Sequence, residues 1–200
     1  MRKFFITFAI CCFATSLFAQ KISVTSGSVN FIKNQKVIQF AYTYENMTVG
    51  KMSEPEYVEK KVSEYNQKEA GRGDRWKKSW ESDREQRFVP KFEELFDKHL
   101  EKYDIVSSES SEGAEYRIVV NTDFTEPGFN VGVARRNAAI NLSCKVFNIA
   151  TGEQVATITI RNSSANNFWG TDFDTGFRIQ ECYAKAGREL AKFFIKKAKL

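Results

Sequence analysis

The chain has 200 residues, of which 42% are hydrophobic and 28% charged, with a net charge of +5. That balance excludes an intrinsically disordered chain and a membrane-embedded one, and the length fits about one domain. The first 19 residues stand apart: Arg2 and Lys3 precede an apolar run over 4–13, and small residues lead to Ala19. This is the layout of a cleavable secretory signal, and its loss removes two positive charges. The expectation is therefore a signal peptide over residues 1–19 and a single, mildly basic exported domain over 20–200, bound for the periplasm or the extracellular space. Cys11 and Cys12 lie inside the apolar run, and Ile10 stands where a lipoprotein signal carries a small residue. No later apolar stretch approaches the roughly 18 residues of a membrane span.

In chain order, residues 36–45 alternate, with Ile38, Phe40, Tyr42 and Tyr44 against Gln39, Ala41 and Thr43. This pattern predicts a half-buried strand. Asn34 and Gln35 ahead of it suggest a hairpin with residues 29–33. Ser53 and Glu56 have the spacing of a capping box, so a short helix should follow to about Lys68. Two glycines within 70–74 read as a break. Over 75–87, Trp76, Trp80, Asp83 and Arg87 share one side at helical spacing, a stripe that begins apolar and turns ionic, so that helix docks at one end.

Pro90 predicts the start of a new helix, with Phe92, Leu95, Phe96, Leu100 and Tyr103 on one broad face and polar residues 107–113 ending it. Three strands are expected at 115–125, 138–148 and 153–162, the last two joined tightly by Ala150, Thr151 and Gly152. A final helix over 175–199 gathers Ile179, Cys182, Tyr183, Ala186, Leu190, Phe193 and Phe194 on a face that must cover the sheet. The expected fold class is α+β: a two-layer sandwich with a mostly antiparallel sheet of about five strands, covered by helices that include a long C-terminal one.

Catalytic side chains are scarce. His99 is the only histidine, and it falls in the apolar face of its helix, which favours a hydrogen-bonded core role over proton transfer. One histidine and two mature cysteines cannot assemble a multi-histidine zinc site, and no Gly-rich phosphate loop is present. No catalytic residue, metal or cofactor is assigned. Asp172 to Gly176 departs from a calcium loop in glycine position and lacks its final acid, so Asp174 or Thr175 is expected to start the last helix. Arg72, Gly73 and Asp74 spell an adhesion tripeptide but read as a turn between helices. Lys192, Lys196, Lys197 and Lys199 suit the negative end of a helix dipole. The mild charge and the lack of a nucleic-acid motif exclude DNA or RNA as the expected partner.

Cys144 and Cys182 both point to the core between sheet and final helix, where a disulfide is possible and two buried thiols are the alternative. Two long loops carry the recognition chemistry. Residues 126–137 offer Phe129 as an apolar anchor and Arg135 and Arg136 as donors for carboxylates or phosphates. Residues 162–177 place Asn166 and Asn167 beside Trp169, a composition that could hold a sugar or a protein. Trp76 and Trp80 are further candidate platforms, with inward packing as the alternative for all these aromatics.

The strands at 116–124, 138–148 and 153–162 with the helix at 177–197 resemble small exported α/β domains of envelope-assembly proteins, the TolB amino-terminal domain and the curli-secretion and penicillin-binding-protein-activator lipoprotein type. The resemblance implies a non-catalytic partner-binding module. The functional expectation is an exported binding or scaffold protein of the bacterial cell envelope whose partner is an envelope protein or a glycan. The alternative is a carbohydrate-binding or carbohydrate-processing protein using Trp169, Trp76 or Trp80.

Overall fold

The computed structural model describes residues 20–131, 134–164 and 174–200. Its centre is an eight-stranded sheet. Six strands run side by side in the order β1 (Lys21–Gly27), β10 (Gln154–Ser163), β9 (Ala139–Asn148), β6 (Ala114–Glu126), β2 (Val37–Thr43) and β5 (Val106–Ser108). The short β3 (Thr48–Val49) and β4 (Met52–Ser53) attach at the end of β6, and β7 (Phe129–Asn130) pairs with β8 (Arg135–Arg136) as a separate ribbon.

The sheet is mixed, which corrects the expectation of about five mostly antiparallel strands. β2 runs parallel to both β5 and β6, and β3 parallel to β6. The reason is the helical region between β2 and β6, which supplies the long crossover that parallel neighbours require. The expected hairpin before β2 is also replaced. Val29–Ile32 is a single 3-10 turn capped by Ser28, with Val29, Phe31 and Ile32 all buried, a spacing that a strand cannot deliver to one face. The strand ahead of it, β1, pairs instead with β10 at the far edge.

The three expected strands β6, β9 and β10 lie within a residue or two of expectation, while β1, β3, β4, β5, β7 and β8 were not expected. β9 and β10 form the expected hairpin, closed where Asn148 N donates to Glu153 O at 2.9 Å. Alternation decides which side is covered. Ile118 and Val120, Leu142, Cys144 and Val146, and Ile158 and Ile160 are buried. Their neighbours along each strand, such as Asn121, Ser143 and Thr159, face the other way in a polar layer where Ser143 Oγ donates to Asp123 at 2.6 Å.

Four helices follow from the expected patterns: α1 (Glu54–Asn66), α2 (Arg72–Asp83), α3 (Val89–Leu100) and α4 (Thr175–Ala198). α1 starts at the capping box, whose Glu56 carboxylate accepts from Ser53 N at 2.9 Å and Ser53 Oγ at 2.7 Å. Pro90 does not break the chain. Residues Arg84–Phe88 wind as one wide turn in which Val89 N bonds Arg84 O, joining α2 to α3. A wide turn of this kind absorbs the missing proline donor and the ring's bulk. α3 and α4 then run side by side in the same direction: Phe88 stacks on Tyr183 at 5.0 Å and Phe96 meets Phe194 edge-on at 6.2 Å. Phe92, Phe96 and Leu100 are fully buried, each burial stabilising the fold by roughly 2–3 kcal/mol. No helix among the described residues is long and apolar enough to cross a membrane.

Candidate functional site

The structure brings several of the singled-out residues to one end of the sheet. There β6 ends at Glu126, which pairs with Ala139 at the start of β9. Between them β7 and β8 pair as the ribbon, in which Phe129 lies opposite Arg136 and Asn130 opposite Arg135. Phe129 is 43% exposed and Val131 65% exposed. Arg136 is held by Glu126 at 3.1 Å, while Glu126 also accepts from Gly128 N at 3.2 Å.

The base of the ribbon is fixed from below. Arg178, buried on α4, donates through Nε to Pro127 O at 3.1 Å and through its guanidinium to Gly128 O at 3.3 Å and Thr175 Oγ1 at 2.9 Å. Asp174 caps α4 through Phe177 N at 3.3 Å and pairs with Arg87 at 2.8 Å, the helix-start role expected of it. Burial alone would raise the Asp174 carboxyl, but Arg87 and the backbone donors outweigh it and hold it below its ordinary value. Asn166, Asn167 and Trp169 lie outside the described residues.

α1 and α2 form an antiparallel arm beside this end. Tyr57, Tyr65, Trp76 and Trp80 pack between them: Trp76 stacks on Trp80 at 5.6 Å, Tyr57 lies 5.4 Å from Trp80, and Tyr65 lies 5.8 Å from Trp76. Trp80 is only 7% exposed, and its Nε1 donates to Glu54 at 2.7 Å. A buried indole cannot serve as an open sugar platform, so of the two arm tryptophans only the partly buried Trp76 retains accessible surface. Glu54 also binds Arg84, whose guanidinium lies 4.0 Å over the Tyr44 ring. Burial pushes the Tyr44 phenol up to about 12, and it pushes Tyr57 up to about 12 as well, with Glu126 raising and Arg178 lowering the latter. Those influences place the arm within electrostatic reach of the ribbon. The arm's other side is a groove of about 890 Å³ lined by Pro55, Val58, Val62, Lys77, Glu81 and Arg84.

Other readings find their places. Arg72, Gly73 and Asp74 form the first turn of α2, and a side chain on Gly73 would come within 2.3 Å of Val62 O, so the tripeptide is helix packing and no loop. His99 is partly buried, with Nδ1 2.9 Å from Leu95 O. Cys144 and Cys182 are both buried thiols with no bridge between them, and Cys182 Sγ donates to Arg178 O at 3.3 Å. Arg178, Glu126 and Glu54 were not singled out from sequence. The one available signal was Arg178, an arginine four residues before Cys182 on an otherwise apolar helix side.

No family model matches the sequence, and no curated protein matches it. Among solved structures, the chain is similar to the PelC dodecamer from Paraburkholderia phytofirmans, with a TM-score of 0.36 and 9% identity over 85% of this chain and 96% of that one. It is similar to protein XCC0632 from Xanthomonas campestris, with a TM-score of 0.37 and 10% identity over 82% of this chain and 86% of that one. It is also similar to a neuraminyllactose-binding hemagglutinin homolog from Helicobacter pylori, with a TM-score of 0.31 and 12% identity over 82% and 83% of the two chains.

Proposed function

We propose that this chain is an exported, non-catalytic binding or scaffold protein of the bacterial cell envelope that engages a protein partner through the ribbon bearing Phe129, Val131, Arg135 and Arg136. The observation that carries the reading is the exposure of Phe129 and Val131. Among the described residues only three large hydrophobic side chains are exposed, and two of them sit on this ribbon. An apolar tip beside arginines, on a base pinned by the buried Arg178, has the composition of an interface anchor. It is also pre-ordered, which lowers the entropy lost on binding. The sequence resemblance to envelope-assembly domains supports a non-catalytic partner-binding module and assigns it no residue.

The test is cross-linking in the native envelope with the parent chain and with F129A/V131S. Because both side chains are exposed, the variant should keep its stability within about 0.5 kcal/mol while recovery of the partner falls at least tenfold. Full recovery by a folded variant removes the reading. Export itself is checked separately: the secreted form should begin at Gln20.

A further inference from the structure

The basic end of α4 extends well beyond its last turn. Lys185, Arg188, Lys192 and Lys196 recur at intervals of three or four residues, one stripe along α4, and Lys199 follows at its C-terminal cap. A helix dipole favours cations within the final turn only, which accounts for Lys196, Lys197 and Lys199 but leaves Lys185, Arg188 and Lys192 unexplained. One carboxylate interrupts the stripe: Glu189 accepts from Arg188 at 2.9 Å and from Lys192 at 3.1 Å. Lys185 reaches Ser164 O at 2.7 Å.

Beside the stripe, a groove of about 530 Å³ separates α4 from the edge strand β1. Its lining is Gln20, Ile22, Lys185, Glu189, Lys192, Phe193 and Lys196. The floor is apolar through Ile22, Phe193 and the lysine stems, and the rim is cationic. Gln20 Nε2, buried at the groove, has no hydrogen-bond partner, so a donor is left without an acceptor. A polyanion would need the cations alone. The apolar floor between them calls for a ligand that is anionic at one end and hydrocarbon next to it.

We propose that this face of α4 and β1 docks on an anionic phospholipid surface, with headgroup phosphates against Lys185, Lys192 and Lys196 and the glycerol and upper acyl region against Ile22 and Phe193. The lysines present their charge at headgroup level while their stems cover apolar surface. The site lies on different elements from the ribbon and does not depend on the function proposed for it.

The experiment is co-sedimentation of the exported chain with vesicles of phosphatidylcholine alone and of phosphatidylcholine containing phosphatidylglycerol. Binding is expected only to the second kind and should weaken as salt is raised. Each basic residue near such a surface is worth roughly fivefold in partitioning, so K192E/K196E should lose more than tenfold. K192Q/K196Q, a milder change, should lose less but in the same direction. K51E/K60E, with the same change in net charge elsewhere, should bind as the parent does. Equal binding to both vesicles, equal loss in K51E/K60E, or no loss in K192E/K196E overturns the proposal. So does displacement by soluble glycerol phosphate at concentrations matching the lipid phosphate, which would mark a free-anion site.

Discussion

Gly187 of α4 rests against the backbone of Phe92 of α3, so closely that a Cβ on Gly187 would lie 2.1 Å from the Phe92 carbonyl oxygen. This contact sets how near the two covering helices approach. It also sets two opposed effects against each other. Helix propensity alone says that G187A should stabilise α4 by about 1 kcal/mol. The backbone contact says that the helices must separate, at a cost of about 1–3 kcal/mol from overpacking and toward the upper end, because the atom met is backbone and cannot turn aside. Chemical denaturation of G187A should show a net loss, and a gain would mean that the helices pack further apart.

The two cysteines give a second prediction. Burial, with a smaller push from Asp123, raises the Cys144 thiol to about 12, and Cys182 is buried in the same core. Reactivity needs thiolate and access. Peptide mapping after alkylation should find both residues unlabelled in the folded protein and both labelled in denaturant without reductant. Labelling that requires reductant would reveal a disulfide.

Much of this fold was legible because its elements are long and periodic. α4 and the strands β6, β9 and β10 announce themselves through spacing, and the Ser53 and Glu56 box marks the start of α1. What sequence concealed was pairing. β2 looks the same whether its neighbour is a hairpin partner or the distant β6, because alternation reports which face is buried and nothing about direction. The wide turn at Arg84–Phe88 was hidden for a related reason: Pro90 forbids an ordinary helical hydrogen bond, but only the surroundings decide whether the chain breaks or bulges. At the site, exposed Phe129 was readable as a loop aromatic. Inward packing of Trp80 was readable from the stripe it shares with Trp76, but its partners Tyr57 and Glu54 were not, since they come from another helix.

A third prediction concerns acidity. Glu93 of α3 accepts from the Tyr42 hydroxyl at 3.0 Å. Burial raises its carboxyl above the ordinary value, Glu109 and Asp97 raise it further, and Tyr42 opposes them. A raised folded pKa means that the native state holds the proton more tightly than the unfolded chain. Stability therefore falls as pH rises through the window between the ordinary carboxyl value and the raised one, and the full penalty persists above it. E93Q keeps an oxygen for Tyr42 and removes the charge. It should exceed the parent in stability at pH 7, where the parent's carboxylate is charged. The advantage should shrink on acidification to below about pH 4. An advantage constant with pH would assign the effect to packing.

The last prediction tests how the ribbon is held. Arg178 is the buried donor that satisfies the carbonyls of Pro127 and Gly128, and Pro127 is itself buried. In R178M the side chain keeps most of its length but donates nothing, so the buried Pro127 carbonyl and the partly buried Gly128 carbonyl lose this donor. The expected cost is about 1–3 kcal/mol, the range for a buried polar group that loses its partner. R178K restores the charge without the fork, and one ammonium cannot follow the geometry that the guanidinium spans. A local readout separates loosening of the ribbon from general destabilisation. Arg135 and Arg136 are exposed, so trypsin under native conditions cuts there when the ribbon opens. Both variants should be cut at least tenfold faster than the parent at these two residues, with cleavage after Lys145 in β9 changed only as far as global stability changes. If cleavage at Arg135 and Arg136 keeps the parent's rate, the ribbon holds its shape without Arg178, and the pre-ordered anchor loses its structural basis.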